Sequence, residues 1–295
     1  MHPEQALYCL IDSLACGLQA LQHPAAARRI GPVVPGATMA GGARVPGTSY
    51  DLDPVQAAFC IGTLIHWLDA SDASLVAPWG HPSDNLGGIL AIADYLSRLR
   101  IVEGGAPLLV GEVLAALSKA HDIQRVAAVE QDGRPPLPQR TAAVRVATAA
   151  VVASMLGGTM AQVSAAASCA RLAGATAQVE SNGGLLASWA LADASSRGVQ
   201  LALLATRGGL ESAQGTSAAD AVIIQRLTLH DDLQGDALPA VEPDGPQARI
   251  LERFRASVAA HFPPAQASRT VGLFADHRML VAMPIHELIA RLVRN

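Results

Sequence analysis

The amino-acid sequence predicts an all-α fold, and three observations support this prediction. Hydrophobic residues make up 51% of the 295-residue chain and charged residues only 16%, so a large buried core is expected. The apolar residues are mainly alanine, leucine and valine, with aromatic residues at 3%, which favours closely packed helices over sandwiches of strands. Apolar segments of helical length also alternate with short Gly/Pro breaks along the chain.

The helical segments can be placed in order from these breaks. We expect helices at about 4–22, 54–69, 86–100, 108–131, 140–156, 159–174, 185–206, 247–261, 264–275 and 284–293. The first is interrupted by Glu4 and Asp12 and has no basic start, which is typical of an amphipathic helix and not of a signal peptide. Residues 31–47 are rich in Gly and Pro and predict an irregular surface loop.

One uncharged segment, residues 146–170, is long enough to be considered as a membrane span. Gly157, Gly158 and Gln162 interrupt it, so a buried hairpin of two short Ala-rich helices is favoured over a span.

A polar break near the C-terminal end sets the predicted domain organisation. We expect a first helical block at 1–226, a polar linker at 227–246, and C-terminal helices at 247–295 that pack back on the same domain. The linker contains His230, Asp231 and Asp232, but adjacent carboxylates in a linker are usually solvated, so no metal is expected.

Charge and cysteine content exclude several classes of function. The net charge is −4, and no Lys/Arg cluster carries interleaved aromatic residues, so neither a nucleic-acid partner nor a membrane partner is expected. Cys9, Cys16, Cys60 and Cys169 lie far apart without a CxxC pair, which predicts small core residues in a reducing, cytoplasmic setting. Nothing in the sequence implies a cofactor.

The segment Trp67–Asn85, WLDASDASLVAPWGHPSDN, concentrates titratable groups between two apolar helices. Asp69, Asp72, His81 and Asp84 fall in this short break. Titratable groups held between buried helices are often functional, so the segment is the first candidate for an active site.

This segment, followed by LGGILAIADYLSR, resembles the MmgE/PrpD family. Further segments that carry the resemblance are CLIDSLACGLQAL, RVPGTSYDLDPVQAAF, KAHDIQ, VRVATAAVVASMLG, SWALADASSRGVQLAL, ERFRASVAAHFPPAQASR and LVAMPIHE. The resemblance implies a large all-helical domain. It also implies a second, α+β covering domain before the C-terminal helices, in whose place 227–246 stands. That domain is therefore expected to be missing, and the chain is expected to begin after the family's first helix.

The resemblance further implies elimination or decarboxylation of citrate-like acids, which needs cationic groups for carboxylates and an acid/base pair. On this basis the catalytic residues are Asp69, Asp72 and His81. Three positions depart from the family pattern: Ala73 replaces a threonine, Arg140 a histidine and Ala187 a lysine. The positions expected to line the substrate are Ala73, Trp79, Arg140, Leu185, Leu186 and Ala187.

Each of these assignments has a structural alternative. His81 is either an acid/base group tuned by Asp69 or Asp72, or a histidine that only ties down a helix start. Asp84 is expected to cap the following helix. His66 either pairs with Asp69 or is a core histidine, and Arg140 either holds an anion, such as Asp69, or lies on the surface.

The leading functional hypothesis is a repurposed lyase, isomerase or cyclase acting on a bulkier and less anionic small molecule, with a tailoring step in specialised metabolism as one setting. The alternatives are a non-catalytic relic or regulatory dimerisation partner, and residual dehydration of 2-methylcitrate. Because a core this apolar would be exposed without a covering domain, a homodimer is also expected.

Overall fold

The computed structural model describes residues 1, 3–68, 80–128, 136–172, 185–210, 218–228 and 245–294. Within these ranges the chain is built from helices and one short pair of strands, so the predicted all-α class is confirmed. The elements are α1 (Pro3–Ala20), α2 (Pro24–Ala27), β1 (Ala43–Arg44), β2 (Asp51–Leu52), α3 (Pro54–His66), α4 (Leu86–Val102), α5 (Val110–Ala128), α6 (Leu137–Met155), α7 (Met160–Leu172), α8 (Leu185–Thr206), α9 (Ala218–Thr228), α10 (Pro246–His261), α11 (Pro264–Ala275), α12 (His277–Ala282) and α13 (Ile285–Arg291).

Helix α3 shows how the local sequence sets an element's start. The Asp53 side chain accepts hydrogen bonds from the backbone N–H groups of Val55 and Gln56, and Pro54 occupies the first helical position. Proline has no N–H to lose there, and the carboxylate satisfies two otherwise unpaired donors. Helix α3 therefore begins where the sequence predicts, although it ends at His66 and not at residue 69.

Helices α3, α4, α6 and α8 form the centre of the core, and small residues let them approach closely. A Cβ atom on Gly87 of α4 would lie 2.8 Å from the Ala58 carbonyl oxygen and 2.9 Å from the Gly62 nitrogen of α3. A Cβ on Gly62 would in turn lie 3.0 Å from the Ala192 Cα of α8. The backbones of α3, α4 and α8 therefore pack with no room for a larger side chain at these positions.

The C-terminal helices pack against the N-terminal part of the chain. The backbone N–H of Ile285 donates to the Leu108 carbonyl at 2.8 Å, and that of Gly47 donates to the Leu292 carbonyl at 2.6 Å. The Phe254 and Phe274 rings lie 4.3 Å apart in the core. The predicted linker falls almost entirely within residues 229–244, outside the described ranges, so the domain boundaries stay a prediction.

Three short helices and the strand pair were not predicted. The sequence pattern predicts no helix at α2, α9 or α12, and β1 lies inside the predicted irregular loop 31–47. Ala43 pairs with Leu52 and Arg44 with Asp51 in an antiparallel register, so the C-terminal end of that loop is held by backbone pairing. Arg44 also forms a buried ion pair with Asp94 of α4 at 2.6 Å, which ties the loop to the core.

The predicted hairpin in residues 146–170 is confirmed, with α6 and α7 separated by a turn at Gly157. No helix within the described ranges combines the length and hydropathy that a membrane crossing requires. Cys9, Cys16 and Cys60 are buried and Cys169 is partly buried, all as free thiols, which agrees with the prediction of small core residues.

Candidate active site

The candidate site lies where the chain enters α4. Residues Pro82–Asn85 form a single 3₁₀ turn that leads directly into the helix. Gly80, just before the turn, has φ +151°, and a Cβ atom there would clash with the side-chain amide of Gln124 and lie 2.9 Å from Asp84 Oδ2. Glycine is therefore required for the backbone to lie against these two side chains.

Contacts with Ser83 and Asp84 hold His81 at the start of this turn. The backbone N–H of Ser83 donates to His81 Nδ1 at 3.1 Å, and the Ser83 hydroxyl lies 2.5 Å from the same nitrogen. The backbone N–H of His81 donates to Asp84 Oδ2 at 3.1 Å. Because a backbone N–H can only donate, Nδ1 must carry a lone pair, and the proton of the neutral ring lies on Nε2.

The environment keeps this imidazole neutral. His81 is only 5% exposed, and burial lowers its pKa from 6.5 to about 4. Asp84 partly opposes the shift, whereas His66, His121 and Arg140 add to it. Among the described residues, His81 Nε2 has no hydrogen-bond partner. A buried, unpaired N–H in a native fold calls for a partner, which at this site a ligand can supply.

The lowered pKa of His81 makes the stability of the fold depend on pH. Because its pKa in the folded state lies below its value in the unfolded chain, the unfolded state binds more protons between about pH 4 and 6.5. Stability should therefore rise with pH across this window and be lost as the pH falls through it. We expect wild type to lose about 2 kcal/mol of unfolding free energy between pH 7 and pH 5 relative to His81→Gln. Urea unfolding at the two pH values measures this, and identical losses in both proteins would contradict it.

Asp84 is the centre of a buried polar group that we call the Asp84 cluster, made of His66, His81, Asp84, Gln124 and Arg140. The Oδ2 atom of Asp84 accepts a hydrogen bond from Gln124 Nε2 at 3.0 Å and lies 3.5 Å from a terminal nitrogen of Arg140. Its Oδ1 lies 3.8 Å from His66 Nε2. Burial raises the pKa of Asp84, whereas His66, Arg140 and the hydrogen bond from Gln124 lower it. The net result is a lowered pKa, so the group is a carboxylate.

A chain of hydrogen bonds holds the turn between α5 and α6. Gln124 of α5 accepts from the Asn85 side-chain amide at 2.7 Å, and Asn85 accepts from the Thr148 hydroxyl of α6 at 3.0 Å. Gln124, Asn85 and Thr148 are fully buried. These buried hydrogen bonds connect the side chains of the turn to α5 and α6, so they fix the position of the turn that carries Asp84.

Arg140 enters the cluster from the first turn of α6. A cation at a helix N-terminus is disfavoured by the helix dipole, and the carboxylate of Asp84 compensates for this. Its side chain is 15% exposed, and its Nε is buried without a hydrogen-bond partner in the part of the chain that the structure describes. Arg140 is therefore part of the Asp84 cluster and does not lie on the surface.

The structure brings together some of the predicted residues. His81 and Arg140 meet around Asp84, and Ala187 lies partly buried in the first turn of α8. The neighbouring Ser188 hydroxyl donates to the His66 carbonyl at 2.6 Å, which places this turn beside the end of α3. Leu185 and Leu186 begin α8, but their side chains are not described. Asp69, Asp72, Ala73 and Trp79 lie outside the described residues.

The central role of Asp84 was missed. Asp84 was expected to cap α4, but the residue before that helix is Asn85, and Asp84 instead completes a capping box with His81. Asp69 was one candidate partner for Arg140 and for His66, and it lies outside the described residues. The structure shows Asp84 close to both side chains. The available signal was a carboxylate between two apolar runs, which needs charged partners once it is buried.

This geometry is a buried cluster of titratable side chains at a helix junction of an all-α domain. The chain belongs to the MmgE/PrpD family, since residues 3–232 match the MmgE/PrpD N-terminal domain, and the family resemblance is confirmed. It is 50% identical over 208 residues to 2-methylcitrate dehydratase of Escherichia coli (strain K12), covering 70% of this chain and 43% of that protein.

Two further relatives extend the comparison. The chain is 46% identical over 207 residues to probable 2-methylcitrate dehydratase of Saccharomyces cerevisiae, covering 68% of this chain and 40% of that protein. It is 37% identical over 213 residues to alkylcitrate dehydratase phiI of a fungal species, covering 70% and 42%. The matched part of the chain thus spans less than half the length of these relatives. A relationship to dehydratases of this family is established.

Proposed function

We propose that the chain is a lyase of the dehydratase type that acts on a hydroxy acid bulkier and less anionic than 2-methylcitrate. The observation that carries this proposal is His81, a buried and neutral imidazole whose Nδ1 is held by Ser83 and whose Nε2 is unpaired among the described residues. A neutral imidazole fixed in this way donates a hydrogen bond from Nε2 to a substrate oxygen and stabilises negative charge that develops there.

In the proposed elimination, an aspartate predicted from the sequence removes a proton from the substrate and then returns it to the leaving hydroxyl. The carboxylate of Asp69 or Asp72 takes the proton from the carbon next to a substrate carboxylate, while His81 donates to the oxygen on which charge builds up. The same proton then leaves with the substrate hydroxyl as water, which regenerates the carboxylate and balances the reaction. His81 therefore acts as a hydrogen-bond donor and does not need to accept a proton.

The charge inventory favours a substrate with fewer carboxylates. Ala187 offers no charge where the family resemblance implies a lysine, and the charge of Arg140 is already matched by Asp84. A substrate carboxylate buried without a charged partner costs several kcal/mol. The fungal relative named alkylcitrate dehydratase supports a bulkier substrate within the same reaction class.

The proposal is tested by following the formation of the unsaturated product from a small series of acids. The series contains 2-methylcitrate, alkylcitrates with longer chains, and the monomethyl ester of each. We expect the highest kcat/KM for a longer-chain monoester, by at least about tenfold over 2-methylcitrate, because one unpaired carboxylate is removed.

The same assay decides between the alternatives. A clear preference for 2-methylcitrate would establish residual 2-methylcitrate dehydratase activity, which the 50% identity to the Escherichia coli enzyme favours. No turnover of any member would favour a non-catalytic dimerisation partner. A homodimer and a cytoplasmic location remain predictions from composition.

A further inference from the structure

We propose that Asp84 neutralises the charge of Arg140, so that Arg140 offers the ligand a hydrogen bond but no net charge, and that this makes Asp84 a specificity-determining residue. The proposal deepens the proposed function and rests on it only in placing a small carboxylic acid beside His81. On this proposal, the buried Asp84–Arg140 ion pair makes the site bind highly charged acids less well than acids with fewer carboxylates.

The first support is that Asp84 cannot turn away from Arg140. Its side chain is almost completely buried, and its Oδ2 is held by the Gln124 amide and by the backbone N–H of His81. Gln124 is itself fixed by Asn85. A ligand carboxylate therefore cannot displace Asp84 from Arg140 without breaking a buried network.

The second support is the set of donors that Arg140 has left. One terminal nitrogen lies 3.5 Å from Asp84 Oδ2, whereas Nε is buried with no hydrogen-bond partner among the residues that the structure describes. His81 Nε2 is a second buried donor in the same condition. Each of these N–H groups can donate to an oxygen acceptor, but Asp84 balances the charge of Arg140, so Arg140 adds no net positive charge that would attract an additional carboxylate.

The experiment compares two acids that share a five-carbon chain. Tricarballylate carries three carboxylates, and glutarate lacks the central one. Calorimetric titration measures both affinities for wild type, Asp84→Asn and the double variant Asp84→Asn/Arg140→Gln. The ratio of the two affinities depends on the net charge at positions 84 and 140. A general loss of binding lowers both affinities and leaves the ratio unchanged. Asparagine keeps the shape of Asp84 and an acceptor for the His81 N–H, but removes the charge.

We expect Asp84→Asn to shift this ratio towards tricarballylate by at least about tenfold, with the gain falling as salt is added, because Arg140 then carries an unmatched charge. The double variant should return to the wild-type ratio, since it is again neutral at this position. A buried ion pair replaced by two neutral groups is usually well tolerated, so this variant remains informative where Asp84→Asn is poorly folded.

Asp94→Asn is the matched control. It also breaks a buried ion pair, that of Asp94 with Arg44, but it lies about 12 Å along α4 from the start of the helix. It should leave the affinity ratio unchanged. Any of four results would overturn the proposal. Folded Asp84→Asn could show an unchanged ratio or no tricarballylate binding, the double variant could show a changed ratio, or wild type could prefer tricarballylate by more than about tenfold. Because only binding is measured, failure of this proposal is distinguishable from absence of turnover.

Discussion

Replacing His81 with alanine is expected to lower turnover at least about hundredfold while the fold is retained. The variant loses the Nε2 donor that faces the substrate in the proposed reaction, and it also loses the hydrogen bond from Ser83 to Nδ1. The measurement is kcat on the best acid of the citrate series, with circular dichroism and thermal unfolding as checks of the fold. Turnover equal to wild type would contradict the role of His81.

A matched histidine separates this effect from the cost of removing any partly buried ring. His261 lies in the C-terminal helix α10, and its Nε2 is 2.7 Å from the Gly47 carbonyl oxygen. His261→Ala should reduce stability without lowering kcat more than about threefold. Added imidazole should restore part of the turnover of His81→Ala, which a purely structural role of the side chain would not produce.

Replacing Gly87 with alanine is expected to lower the free energy of unfolding by about 3 kcal/mol. The new Cβ would lie 2.8 Å from the Ala58 carbonyl oxygen and 2.9 Å from the Gly62 nitrogen, both backbone atoms of α3 that no side-chain rotation can move. Helix α4 would have to shift away from α3, and the turn that carries His81 and Asp84 would move with it. Urea unfolding at pH 7 measures the loss.

Gly272 provides the control because it is also a helical glycine. It lies exposed in α11, and a Cβ there would meet nothing within 4 Å. Gly272→Ala should therefore raise the free energy of unfolding by up to about 1 kcal/mol, as expected from helix propensity alone. Equal effects of the two substitutions would show that α3 and α4 do not pack as tightly as described.

The sequence was sufficient for the fold class and for most of the longer helices. Long apolar segments with Gly/Pro breaks predicted α3, α4, α8 and α11 closely, because burial and breaker residues act locally. Helix α9 was missed because it is short and lies between polar segments. The two-residue strands in 31–52 were missed because strands this short show no alternation of apolar and polar residues.

The candidate site could be predicted only in part. The run of acidic residues and histidine predicted the region and His81 as candidates. The contact of Asp84 with Arg140, however, joins residues far apart in the chain. Such pairs depend on how α3, α5 and α6 meet, which local sequence patterns do not contain. The tautomer of His81 likewise follows from the position of the Ser83 N–H, which only the folded turn defines.

The most direct test of the account is the protonation state of the His81 ring in the folded protein. Nitrogen-15 NMR of the histidine side chains, with His81→Gln to assign the signal, reports which ring nitrogen carries a proton. We expect a neutral ring with the proton on Nε2 at pH 6, because burial lowers the pKa to about 4 and Ser83 occupies Nδ1. A ring protonated on both nitrogens at pH 6, or on Nδ1 alone, would contradict the assignment of His81 as the hydrogen-bond donor of the site.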